Sequence, residues 1–219
     1  SVKIQTNCNV QQVLIEDGKA RGVVLEDGSK ILSDVVISNC TPHHTFVDLV
    51  DSSALPSSFL HHIKHADYKC GSFKINVALK GLPDFICCPS SSDGKPGPQH
   101  RGTIHFENRM EEVEEAFRDA DRRKPANRPV IEMTIPSSLD KTISPEGFHV
   151  ASIFVQFAPY DIDPAVGSWS DLKFKEGFVK RVFSIIDEYA PNFSDLVVNY
   201  DALSPLDLEN IFGLTGGSI

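Results

Sequence analysis

No window of this 219-residue chain approaches the roughly 18–20 consecutive apolar residues of a membrane-spanning helix, so no transmembrane segment is expected. There is also no basic run. With 21 Lys and Arg against 30 Asp and Glu the formal charge is −9, which argues against nucleic acid and anionic membrane surfaces as partners. The five cysteines, Cys8, Cys40, Cys70, Cys87 and Cys88, are odd in number and show no C-x-x-C spacing. That pattern fits a reduced intracellular compartment better than a disulfide framework, with thiols expected to be buried or half-buried. Adjacent Cys87 and Cys88 offer a redox alternative, although vicinal pairs rarely bridge without strain. A G-x-S-x-G elbow, an H-E-x-x-H helix and a P-loop are all missing, which removes the commonest hydrolase, zinc-protease and nucleotidase signatures. No signal or transit segment is visible. The chain begins at Ser1 rather than Met, so it is expected to be an excised piece in which targeting is not legible.

What is present starts with 41% hydrophobic residues, enough for one compact unit or two closely packed ones. Val2 to Pro42 reads as four short strands with two tight turns. Asp17-Gly18 and Asp27-Gly28 each separate alternating apolar runs, as a two-residue hairpin turn demands where Gly supplies positive φ. The last of these strands, Ile31 to Ile37, becomes continuously apolar at Val35-Val36-Ile37, the pattern of burial on both faces. Thr41 is then a good N-cap and Pro42 a good first helical residue. A second helix is expected from Pro56, with Phe59, Leu60 and Ile63 on one face. His61 and His65 are spaced i, i+4. Without a carboxylate or thiol at ligand spacing they fit a solvated histidine face better than a zinc site, and His43-His44 is read the same way.

Further along, Gly71 to Leu79 alternates Phe73, Ile75, Val77 and Leu79 on one face and is expected to be a strand whose other side is wet or meets a substrate. Pro83 to Gly102 reads as a loop. Strands are expected near 102–106, 130–135 and 149–157. Met110, Val113 and Phe117 mark a helix whose acidic face is solvated and whose end carries Arg122-Arg123-Lys124, complementing the helix dipole. Ser168 and Asp171 have capping-box spacing ahead of Phe174, Phe178, Val182, Ile185, Ile186 and Tyr189, a long amphipathic helix. Its aromatic stripe either lines a substrate tunnel or, more commonly, is plain core. Asp195 to Asp201 reads as a strand and Leu206 to Phe212 as a short helix.

Two blocks carry a family resemblance. The first is Thr6, Val10, Val13-Leu14, Gly22-Val23, Leu25, Asp27-Gly28, Ser33-Asp34, Val36-Ile37, Ser38-Asn39 and Pro42; the second is Ile135-Pro136-Ser137, Asp140, Pro145, Gly147, His149 and Ser152. Together they resemble the flavoprotein amine-oxidase and phytoene-desaturase-like superfamily over nearly all of the chain. The resemblance implies an α+β fold in which residues 1–50 form a β-meander on the adenine side of a split FAD-binding domain. Residues 51–205 would be a substrate-binding domain on a mixed sheet with packed helices, and 206–219 a truncated return toward the FAD domain. It implies FAD contacts from the backbone of Val10 and from the corner at Asn39 and Pro42, and a mitochondrial location, in the matrix or at the inner membrane.

An FAD protein of this type needs a G-x-G-x-x-G turn after a strand, with an acidic residue about 20 positions on. Neither occurs here; Gly213, Gly216 and Gly217 do not have the spacing. The chain therefore reads as the middle of a flavoprotein, inactive alone and not retaining FAD. Flavin does the hydride chemistry in such enzymes, so no catalytic residue is identified. An apolar or amphipathic small-molecule substrate is expected against Phe73, Ile75, Phe154 and Phe157, and protein partners are left open. Two functions stand: an FAD-dependent oxidoreductase that dehydrogenates or desaturates such a substrate, and a flavoprotein-derived scaffold with little turnover.

Overall fold

A computed structural model of the chain describes residues 2–69, 71–91 and 94–219; Cys70 lies outside the described residues. They fall into two compact units, Ser1–Tyr68 with Gly213–Thr215, and Lys69–Phe212 with Gly216–Ile219. The expected boundary lay after residue 50.

The first unit is built on the meander, in which β1 (Val10–Glu16), β2 (Lys19–Leu25) and β3 (Lys30–Leu32) pair antiparallel in that order. Asp17 and Gly18 both take positive φ, 49° and 70°, and close a two-residue turn between the paired residues Glu16 and Lys19. The second turn differs from expectation. It runs from Glu26 to Ser29, only Gly28 has positive φ, and the Asp27 carboxylate accepts the Ser29 N–H at 2.9 Å, because an Asx side chain completes the longer turn. Gly22 is required where the strands crowd: at φ 139° an added Cβ would lie 2.1 Å from Ile31 O.

Three strands form among the described residues, not four. Val36 packs against a small core of Val13, Leu49 and Val50, while Val35 and Ile37 are 69% and 91% exposed. Burial on both faces needs a layer on each side, and the described unit provides only this one. Thr41 does cap the helix that follows: its Oγ1 accepts the His44 N–H at 3.2 Å and its carbonyl accepts the Thr45 N–H. From His44 to Leu49 this helix is π-helical, and α1 (Ser57–His65) packs on it through an edge-to-face contact of Phe59 with Phe46 at 5.0 Å.

The second unit is a five-stranded sheet with β4 (Ser72–Leu79), β5 (Ile104–His105), β6 (Val130–Thr134), β7 (His149–Gln156) and β8 (Val197–Leu203) in the order β5-β6-β7-β4-β8. All four expected strands share it. The fold class is α+β, but every junction is antiparallel, so the sheet is not mixed. The helical connection from β7 brings β8 back in the same direction one position over, on the far side of β4, and like-directed strands never become neighbours.

That connection contains α3 (Leu172–Asp187), followed by α4 (Phe193–Leu196); α2 (Met110–Asp121) lies between β5 and β6, and α5 (Pro205–Phe212) follows β8. The cap of α3 is Asp171 itself, whose carboxylate accepts the Lys173 N–H at 2.9 Å, rather than Ser168. Phe178, Val179, Val182 and Ile186 are buried against Phe73, Ile75, Val77 and Leu79 in one core, so the stripe of α3 is core. No helix among the described residues is long and apolar enough to cross a membrane.

Candidate functional site

Alternation in β4 puts Phe73, Ile75, Val77 and Leu79 on one face of the sheet, and the antiparallel register sets Phe73 opposite Val155 and Ile75 opposite Ile153. This face is sealed by α3, with the Phe73 ring 5.1 Å from Phe178 and 5.3 Å from Trp169. Phe154 pairs with Lys74 and therefore points to the opposite face. The four residues expected to line a substrate surface are thus divided. Phe73 and Ile75 are core, Phe154 is half-buried on the other side, and Phe157, just beyond β7, packs edge-to-face on Phe117 of α2 at 5.8 Å.

The face opposite α3 is ordered in rows by the pairing. One row runs Leu203, Lys74, Phe154, Glu132, His105, and the next Asp201, Asn76, Ser152, Thr134. Asn76, Ala78, Asn199 and Asp201 are exposed. They help to line a hollow of about 290 Å³ together with Val150. Lys74 is half-buried at the centre of this face and donates from Nζ to Ser152 Oγ. Burial lowers its pKa. No carboxylate lies within ion-pair distance among the described residues, while Glu132 accepts from Gln156 Nε2 at 3.2 Å. Sequence reasoning missed Lys74 as a site residue. The one signal was a lysine on the wet side of an alternating strand, and its acceptor lies 78 residues away.

The second motif block holds β7 in place. Val150 N–H donates to Ser137 Oγ at 2.9 Å, leaving the Ser137 hydroxyl proton for His149 Nδ1 at 3.1 Å. Burial, and after it His100, keep His149 below its usual pKa, which favours the neutral ring this contact needs. Asp140 caps the intervening turn by accepting the Thr142 N–H at 2.8 Å. The motif ends at Ser152, the acceptor for Lys74.

In the first unit, Val10 opens β1, an edge strand whose outer side has no strand partner among the described residues. Pro42 lines a largely apolar pocket of about 350 Å³ with Val13, Ile15, Val36 and Phe46, whereas Val10 and the exposed Asn39 lie outside that lining. The 219 residues contain no glycine-rich turn for a pyrophosphate.

Of the remaining candidates, Cys88 is half-buried, within the expectation for the thiols, whereas Cys8, Cys40 and Cys87 are exposed and depart from it. The His61 and His65 rings stack at 4.1 Å on an exposed helix face, and His65 Nδ1 is bonded to the His61 carbonyl at 2.8 Å. Among the described residues no group of three or more His, Cys, Asp or Glu is placed to hold a metal ion.

No family model matches the chain. It is 40% identical over 205 residues to pyridine nucleotide-disulfide oxidoreductase domain-containing protein 2 of Rattus norvegicus, which spans 93% of this chain and 35% of that protein. It is 26% identical over 181 residues to the chloroplastic prolycopene isomerase of Arabidopsis thaliana, covering 82% of this chain and 25% of that one. Among solved structures, an oxidoreductase from Methanosarcina mazei superposes with a TM-score of 0.52 at 20% identity, over 92% of this chain and 38% of that chain, and shares its fold. The chain spans about a third of the length of the first of these relatives. Along nearly all of its length it resembles that third of pyridine nucleotide-disulfide oxidoreductase domain-containing protein 2, and more distantly a prolycopene isomerase.

Proposed function

We propose that this chain carries the adenine-side strands and the substrate-facing sheet of an FAD-dependent oxidoreductase that dehydrogenates or desaturates an apolar or amphipathic substrate. The observation that carries this reading is the two-faced sheet: one face closed by α3, the other presenting Phe154 and Leu203 around a polar centre. The backbone of Val10 and the corner at Asn39 and Pro42 meet the adenine end of FAD, with residues 1–50 as the FAD-side part, 51–205 as the substrate part and 206–219 as the return. Phe154 is the substrate-facing member of the original four. The 40% identity to a protein named an oxidoreductase supports the reaction class, and a relative named for prolycopene supports an apolar substrate. FAD, when bound, supplies the hydride acceptor.

The test is anaerobic. Protein bearing the segments that flank this region in its relatives is mixed with long-chain and polyene compounds while the flavin absorbance is followed. Bleaching by at least one of them is the expected result, and an oxidised flavin unmoved by all of them favours the scaffold function. A mitochondrial location belongs to the same reading and is checked by imaging the tagged protein.

A further inference from the structure

Among the described residues Lys74 is a cation with no carboxylate in ion-pair contact. An ammonium has three N–H donors and no acceptor, and among the described residues only one of those donors is used, by Ser152 Oγ. Half-burial removes part of its water, a cost that a protein ordinarily offsets with a carboxylate in contact. Here the directly opposite neighbours are apolar, Phe154 on β7 and Leu203 on β8. The carboxylates on this face are set apart from it. Asp201 is exposed and diagonal to Lys74 across β4 and β8, and Glu132 lies beyond Phe154 and is held by Gln156.

We propose that Lys74 and Ser152 form the binding point for the carboxylate of an amphipathic acid, whose apolar chain lies against Phe154 and Leu203. The proposal rests on the reading of this face as substrate-binding and narrows the substrate from apolar or amphipathic to acid-bearing. One carboxylate oxygen accepts one of the two unused ammonium donors. The Ser152 hydroxyl, accepting from Lys74, has its own proton free for the second oxygen. A charge-assisted bond of this kind is stronger than a neutral one. Asp201 opposes the anion, but as an exposed group its field is screened.

The test compares dodecanoate with dodecanol, both below their aggregation concentrations, by calorimetric titration of the full chain and of Lys74→Met, Lys74→Arg and Asp201→Asn. Circular dichroism checks that each variant is folded. The expected result is a preference for dodecanoate of about ten-fold or more in the unaltered chain. Lys74→Met abolishes that preference, Lys74→Arg retains it, and Asp201→Asn increases it. Equal affinities, no binding of either ligand, or a preference that survives Lys74→Met would overturn the assignment. The titration needs no flavin, so a flavin-free protein leaves its outcome standing, and its failure leaves the cofactor reading standing.

Discussion

Lys74 on β4 and Ser152 on β7 are diagonal neighbours on the face of the sheet that α3 does not cover, and the ammonium donates to the hydroxyl across the strand boundary. One residue away in either direction along β4, Phe73 and Ile75 are fully buried on the other face. A single strand thus supplies both the core of the second unit and the centre of its candidate site.

This division is measurable in stability. Phe73 fills the core beneath α3, so Phe73→Ala is expected to cost about 3–5 kcal/mol. Phe154 is half-buried on the open face, and Phe154→Ala is expected to cost about 1 kcal/mol. Urea denaturation of the two variants checks this. Equal losses would mean that the two faces are not distinct.

Acid should weaken the second unit partly through Asp207. Its carboxylate accepts from Ser204 N and Oγ at 2.8 and 2.6 Å and from Lys175 Nζ at 2.9 Å. Burial pushes its pKa upward, but the Ser204 and Lys175 contacts outweigh burial and leave it below 3.8. A depressed folded pKa contributes stability above the unfolded value, and that contribution disappears as the pH falls from about 4 through the folded pKa. Asp207→Asn is expected to be less stable at neutral pH and to show a shallower loss of stability over this acid range. A melting-temperature profile from pH 2 to 7, about the range needed, that is parallel in the two proteins would count against the role.

Gly22 is held at φ 139° with the Ile31 carbonyl in the way of any Cβ. Gly22→Ala is therefore expected to cost about 1–3 kcal/mol and to loosen the pairing of β2 with β3. Amide hydrogen exchange at residues 30–32 reads this directly, and unchanged protection there would show that the strand tolerates a side chain.

How much of this was legible beforehand divides by sequence distance. The Asp17-Gly18 turn, the alternation of β4 and the apolar stripe of α3 are local patterns, and each appears where its period and turn residues require. The capping box Ser204-Pro205-Leu206-Asp207 was equally local, and its S-x-x-D spacing stood in the sequence unread. Pairing was not legible. Phe154 was grouped with Phe73 because both are aromatic residues in alternating strands, but their faces depend on a register fixed between segments 81 residues apart in sequence, by counting from Phe73 to Phe154. For the same reason the contact of Lys74 with Ser152, 78 residues away, is not visible in the sequence. The run Val35-Val36-Ile37 misled because composition alone does not show which layers cover a strand.

The FAD contact proposed at Val10 would be made by backbone atoms of an edge strand. Two backbone hydrogen bonds supply at most about 3 kcal/mol, short of the roughly 4 kcal/mol of a millimolar interaction. This 219-residue chain by itself is therefore expected to bind FAD no better than millimolar. In protein bearing the flanking segments, Val10→Ala should weaken FAD binding slightly and Val10→Pro, which deletes the N–H, clearly. Calorimetry distinguishes them, and micromolar binding by the isolated chain would move the cofactor site elsewhere.

The most direct measurement is the absorbance spectrum of protein bearing the segments that flank this region in its relatives, followed by identification of the cofactor released on denaturation. The account predicts a yellow protein that releases about one FAD per chain, in keeping with a flavin held mainly outside these strands. A colourless protein that takes up no added FAD, or one that releases a different cofactor, would contradict it.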